Sequence, residues 1–259
     1  MPRRFERAPM DQTDSTEYIE TGTTTVGLVG ADGVVLAADT RASLGGRFVT
    51  NRTARKVVPV GDHTALTFAG SVGEAQTFVR QLRAERSRYE HATDRTPSVE
   101  TTATVAGDLL RGGPYQHLEL VLGGTFPEPA VYQVGPGGGV MDTPYAASGS
   151  GMQLAYGRLE DAYEPDHSVD TLRGLATTAI RNATERDTAS GDGMTVATLT
   201  VDEDGSEDEH DHERKYKYER KFEQFVQFEQ FESIAAAVTA TTNGAGNESG
   251  TDAESGVAS

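Results

Sequence analysis

Apolar positions along the chain fall into two kinds of run. From Thr24 the spacing is strand-like: "TTVGLVG" and "VVLAADT" flank "ADG", where Asp32-Gly33 marks a hairpin turn. "RKVVPV" and "TALTFAG" make a second pair around "GDH". The period then becomes helical. Ser71 with Glu74 three residues on forms a capping box, and Ala75, Phe78, Val79, Leu82 and Tyr89 follow at helix spacing. Thr96-Pro97 opens a second helix, which "RGGP" ends. "LELVLGG" and "AVYQVG" are strands joined by a proline-containing turn. "GMQLAYGRLEDAY" and "SVDTLRGLATTAIRNATERD" predict another helix pair, the second capped by Ser168, and "MTVATLTV" is a closing strand. Hairpins alternating with helix pairs predict an α+β fold of two packed sheets, with a helical layer outside each.

The two ends lack such patterning. Residues 1–20 are polar and carry no clear period, as a removable or flexible leader would. From Asp202 the chain turns acidic, and "DEDGSEDEHDHE" fails the calcium-loop pattern because Glu207 holds the glycine position. His210 and His212 read as solvated residues of this charge run. Tyr216, Tyr218, Phe222, Phe225, Phe228 and Phe231 recur about every third residue, a spacing that drifts around a helix. A loosely ordered extension is expected from residue 205 to 259, a docking segment being the alternative.

Composition narrows the picture. At 259 residues the chain has ample length for a core. It has no cysteine, which excludes disulfides and thiolate metal sites. No apolar run approaches the roughly 20 residues of a membrane span, and the first 20 residues have no apolar core of a secretory signal. A soluble cytoplasmic protein is expected. The net charge is −17, of which −10 lies from Asp202 onward, a balance that argues against binding nucleic acid. Three of the four lysines lie in the tail, and Lys56 is the one lysine between Thr23 and Val201. Acidic, lysine-poor composition suggests a salt-loving organism; a GC-rich genome would also replace lysine by arginine.

Candidate chemistry starts at "ETGTTTVG", residues 20–27. One reading is a turn glycine before an edge strand. The other is that the Gly22–Thr23 bond is cut, giving Thr23 a free amine beside its own hydroxyl. Such an amine titrates near about 7.7–8 and so serves as a base at neutral pH. The site then needs a fixed cation, a carboxylate to hold it, and a backbone N–H for the oxyanion. No G-x-S-x-G and no H-E-x-x-H competes, and "GPGGG" is a turn without the context of a phosphate loop.

Six separated stretches, "TGTTTVG", "GVVLAADTRAS", "ARKV", "TFAGSVGEAQ", "YAASGSG" and "ERDTASGDGM", together resemble an archaeal-type proteasome β-subunit from about Thr21 to Val201. The resemblance implies a four-layer α-β-β-α sandwich of the N-terminal-nucleophile hydrolase type. It implies a propeptide over 1–22 removed autocatalytically between Gly22 and Thr23, a hydrolase domain over 23–204, and Thr23 as nucleophile. Asp39 matches the carboxylate that partners the catalytic lysine, and Lys56 matches that lysine. Between Asp39 and Lys56 this chain is one residue longer than the family pattern, so Arg55 takes the slot in a gapless count. Lys56 is preferred because the step into the following strand matches and arginine cannot retune its charge. Gly70 matches the oxyanion glycine, and Ser150, Asp187 and Ser190 match the network around the threonine amine. Ala42, Ala54, Phe68 and Val72 match the primary specificity pocket, whose uncharged lining implies large apolar side chains before the scissile bond. Ser43 matches the residue whose backbone aligns substrate as an added strand.

The resemblance further implies a threonine-type endopeptidase acting on unfolded polypeptides, without metal or organic cofactor. Its implied partners are α-subunits and other β-subunits in stacked seven-membered rings, and a regulatory ATPase reached through the α-ring. A non-catalytic ring subunit and the bacterial two-ring peptidase are the alternatives. The tail departs from the family pattern, which ends soon after the last strand.

Overall fold

The computed structural model describes residues 22–115, 117–203 and 216–225. Its first sheet has the order β10-β1-β2-β11-β12 and its second β5-β6-β7-β8-β9, antiparallel throughout. The first comprises β1 (Thr25–Gly30), β2 (Gly33–Asp39), β10 (Tyr145–Ser148), β11 (Met194–Glu203) and β12 (Tyr216–Phe225). The second comprises β5 (Val57–Pro59), β6 (Thr64–Gly70), β7 (Leu118–Gly124), β8 (Ala130–Val134) and β9 (Val140–Asp142). A small hairpin of β3 (Ala42–Leu44) and β4 (Phe48–Asn51) stands apart from both.

Three apolar clusters define the layers. Val34, Leu36, Ala38, Ala65, Val121 and Val131 pack between the two sheets. Val26, Val35, Ala37 and Val196 of the first sheet pack beneath α3 (Met152–Ala162) and α4 (Val169–Thr184). Leu66, Phe68, Leu120 and Leu122 of the second pack beneath α1 (Val72–Thr93) and α2 (Val99–Gly112). Strand β2 is therefore buried on both faces, which is why its sequence is a nearly unbroken apolar run rather than an alternation.

The helices begin where their capping residues stand. Ser71 accepts from Glu74 N–H at 3.4 Å, Ser98 from Thr101 N–H at 3.0 Å, and Ser168 from Thr171 N–H at 3.4 Å. Each such cap is worth about 1 kcal/mol. Inside α1, Phe78 meets Tyr115 edge-on at 5.3 Å between ring centres.

The structure departs from the sequence reading in two places. The short strands β3, β4, β9 and β10 were not anticipated; at three or four residues each they are too brief to display a period. The second departure is a correction. The extension after residue 204 is not structureless throughout, because Tyr216–Phe225 runs beside β11 in unbroken register from Glu203↔Tyr216 to Met194↔Phe225. Interleaved charges mask the strand, yet Tyr216, Tyr218 and Phe222 share one parity, and aromatic residues favour strands. The first sheet therefore includes residues beyond 204.

A truncation checks this. A chain ended at Asp204 leaves β11 as an open edge, with its backbone groups unpaired along the former ladder with β12. At about 1 kcal/mol net per hydrogen bond the loss is several kcal/mol, or roughly 10 °C in Tm. Calorimetry and light scattering should show a lower transition and aggregation. A chain ended at Phe225, which keeps the pair, should melt as the full chain does.

Candidate active site

The site grows from the open end of the β1–β2 hairpin. The ladder continues one step past β1, Asp39 N–H donating to Thr24 O at 3.1 Å, so the last residue of β2 lies beside Thr23. Asp39 is fully buried, and its carboxylate is saturated with donors. Oδ1 accepts from Thr23 Oγ1 at 2.6 Å, Thr24 N–H at 3.0 Å and Lys56 Nζ at 2.8 Å. Oδ2 accepts from Arg41 N–H at 3.0 Å and Gly191 N–H at 2.8 Å. A buried carboxylate held this way is fixed in place and remains a strong acceptor.

Lys56, immediately before β5, is 3 % exposed and donates to both Thr23 Oγ1 and Asp39. Burial lowers its pKa from the ordinary lysine value, and the Asp39 carboxylate offsets part of that shift. Arg55, the competitor for the cation position, is exposed. Of the two candidate cations, Lys56 is the one that reaches Thr23 Oγ1 and Asp39.

A second group of residues surrounds the Thr23 nitrogen. Its N–H donates to Ser150 Oγ at 3.1 Å. Ser150 Oγ donates to Asp187 Oδ2 at 2.6 Å, as does Ser190 Oγ at 2.6 Å. Ser190 also bonds Thr24 Oγ1 at 2.8 Å. Asp187 lies just beyond α4, where its N–H closes on Ala183 O at 2.8 Å. At Gly22 a Cβ would lie 2.0 Å from the Ala189 Cβ, so only glycine fits before Thr23 in this arrangement.

Gly70 ends β6 at φ +109°, and a Cβ there would lie 1.6 Å from His117 O. It directly precedes Ser71, the cap of α1, so it stands at the positive end of that helix. Pairing of β5 with β6 brings this strand to the lysine, Phe68 N–H donating to Lys56 O at 3.3 Å. Phe68 and Val72 share one apolar cluster. Ala54 is tied to Thr40 O at 2.9 Å; Ala42 and Ser43 lie on β3, buried. The structure thus gathers Thr23, Asp39, Lys56, Ser150, Asp187 and Ser190 into one bonded network, with the Phe68–Gly70 strand joined at Lys56.

Comparison with known proteins gives this arrangement a context. A family profile described as "Proteasome subunit" matches residues 19–199. The chain belongs to the proteasome subunit family. It is 49 % identical over 191 residues to "Proteasome subunit beta" of Halorhabdus utahensis, covering 73 % of this chain and 82 % of that protein. It is 47 % identical over 199 residues to the protein of the same name from Halomicrobium mukohataei, covering 76 % and 84 %. "Proteasome subunit beta 1" of Haloterrigena turkmenica is 46 % identical over 202 residues, covering 77 % and 81 %.

One part of this proteasome-family site was not read from the sequence. Asp192, at φ +69°, receives Arg41 Nε at 2.9 Å and also Arg52. Burial pushes its carboxyl pKa up, but the two guanidiniums outweigh that and hold it below the usual value. The bond to Asp192 raises Arg41 correspondingly. Three segments meet here: the end of β2, the β4–β5 loop and residues 187–193. They hold Gly191 N–H and Arg41 N–H against Asp39. The available signal was Asp192 between two glycines, since Asp is among the few residues that tolerate positive φ. Among the described residues no group of three or more His, Cys, Asp or Glu side chains is arranged to hold a metal ion, and no helix is long and apolar enough to cross a membrane.

Proposed function

We propose that this chain is a catalytic β-subunit of a 20S proteasome core, a threonine-type endopeptidase with the fold of the N-terminal-nucleophile hydrolases. One observation carries the reading: the Thr23 hydroxyl is hydrogen-bonded on one side to the Lys56 ammonium and on the other to the Asp39 carboxylate, in a buried site. The hydroxyl attacks the Gly22 carbonyl, the acyl group passes from Thr23 N to Thr23 Oγ1, and water hydrolyses the ester. The leader leaves with a Gly22 carboxylate, and the Thr23 amine is free.

In the mature subunit that amine accepts the hydroxyl proton as Oγ1 attacks a substrate carbonyl. Lys56 keeps the amine neutral and stabilises the developing alkoxide. The Gly70 N–H receives the oxyanion. The proton then passes to the departing substrate amine, leaving an ester on Thr23 that water hydrolyses. Ser150, with Asp187 and Ser190 behind it, orients the amine. Membership of the family supports assembly with other proteasome subunits. Stacked seven-membered rings, with α-subunits outside, an ATPase feeding unfolded chains and a cytoplasmic setting complete the reading. The names of the three relatives support the β assignment.

Mass spectrometry of assembled protein tests it: the mature chain should begin at Thr23. A chain still beginning at Met1 or Pro2 would indicate a structural ring subunit instead. Cleavage preference gives a second check. Phe68 and Val72 are apolar, and an unpaired substrate charge beside them carries a large desolvation cost. Peptides with Tyr, Phe or Leu before the scissile bond should be cut at least about 10²-fold faster than those with Arg or Asp there, since each 1.4 kcal/mol is tenfold. Preferential cutting after acidic residues would overturn the pocket assignment.

A further inference from the structure

Strand β7 carries one charged residue, Glu119, in an otherwise apolar run. It pairs with Ala69, and its neighbour Leu118 pairs with Gly70, so Glu119 belongs to the ladder that sets the position of the oxyanion glycine. Its carboxylate reaches toward the other sheet. Oε2 accepts from Ser148 Oγ at 2.7 Å and from Gly149 N–H at 3.5 Å. Ser148 is fully buried and ends β10, in the other sheet. The bond therefore crosses the sandwich.

The turn that Glu119 grips is the one that encloses Thr23. Gly149 adopts φ +90°, with its backbone so close to Thr23 that a Cβ would lie 2.2 Å from Thr23 O. Ser150 Oγ receives the Thr23 N–H, and Gly151 N–H donates to Thr23 O at 3.4 Å. Asp187 anchors the far end of this turn through Ser150. Glu119 anchors the near end through Ser148 and Gly149.

We propose that Glu119 is a positioning residue that ties the Gly70 strand of one sheet to the Ser148–Gly151 turn of the other. It thereby fixes the distance between oxyanion donor and threonine amine. The inference rests on the reading of Thr23 as nucleophile. The two groups come from different sheets, and the attack needs both at once. A misplacement of about 1 Å costs on the order of 10²-fold in rate.

The test uses matured, assembled particles whose active sites have been counted. Glu119→Ala should lower kcat by about 10- to 100-fold with KM within about twofold. Glu119→Gln keeps an acceptor oxygen for Ser148 and should stay within about threefold of wild type. Ser148→Ala removes the shorter of the two bonds from the other side, leaves the longer one from Gly149 N–H, and serves if Glu119→Ala does not assemble; it should lose activity in the same direction and by no more than Glu119→Ala, and the double variant should lose no more than Glu119→Ala alone. Amide exchange at Gly149–Gly151 should quicken in both alanine variants. The proposal is overturned by wild-type kcat in Glu119→Ala or Ser148→Ala. Slower turnover without faster exchange, or equal damage from Glu119→Gln, overturns it too. Failure of the peptidase reading is seen separately, as a wild-type protein that neither starts at Thr23 nor hydrolyses peptides; the exchange comparison then still decides whether Glu119 holds the turn.

Discussion

Thr23→Ala should yield a chain that retains residues 1–22 and hydrolyses no peptide. Both results come from one atom. The Oγ1 that would attack the Gly22 carbonyl is the atom that Lys56 and Asp39 bracket. Alanine removes it and leaves the Lys56–Asp39 ion pair at 2.8 Å, buried and still satisfied by the backbone donors on Asp39. The variant should therefore fold. Loss of a nucleophile within an interdependent constellation costs about 10⁴- to 10⁶-fold in turnover. Intact mass and a fluorogenic peptide assay check the two halves together. Thr23→Ser keeps the hydroxyl and should still process its leader. A Thr23→Ala chain that matures normally would mean that another protease cuts the leader, and a mature Thr23→Ala chain with wild-type turnover would remove Thr23 from the chemistry altogether.

How much of this could be read from the sequence depends on the length of the signal. The long elements show it: the run of β2, the helical spacing behind Ser71 and the cap at Ser168 all lie where the pattern of residues put them. Strand β10 was not visible, because "YAAS" has neither period nor a turn signature of its own. Its place is set by β1, through pairs from Thr25↔Ser148 to Leu28↔Tyr145. Strand β12 was hidden for another reason. Its charges resemble those of the acidic run before it, and its partner β11 ends more than ten residues upstream.

Similar reasoning applies to the site. Thr23, Asp39, Lys56, Ser150, Asp187 and Ser190 were legible because the motifs around them match a family pattern, and the fold brings them together. The choice between Arg55 and Lys56 could not be made by counting, since one inserted residue reverses which side chain faces inward. Burial of Lys56 beside Thr23 Oγ1 and Asp39, and exposure of Arg55, support the choice of Lys56. Glu119 and Asp192 left fainter marks, a lone acid in an apolar strand and an acid between glycines. Their importance comes from partners 29 and more than 100 positions away in the chain.

Lys56→Arg should reduce peptidase activity by at least about 10²-fold although the charge is kept. The ammonium is a compact donor seated between Thr23 Oγ1 and Asp39 Oδ1. A guanidinium is larger and planar, its donors diverge in a fixed fork, and it does not release a proton in the working range. The pH profile separates the two cations. With lysine, the rate should rise as pH passes the pKa of the Thr23 amine, ordinarily about 7.7–8, because the neutral amine is the base. It should fall again as Lys56 loses its proton, and burial places that limb below the ordinary lysine value of 10.5. With arginine the falling limb should vanish while the rising limb persists. Lys56→Ala should cost stability as well, since it leaves a fully buried carboxylate without its cation, a loss of about 3–5 kcal/mol. Arg55→Lys, on the exposed neighbour, should be silent in both measurements. Wild-type turnover in Lys56→Arg, together with an inactive Arg55→Ala, would transfer the catalytic cation to Arg55 and require the β4–β5 loop to shift by one residue in the working enzyme.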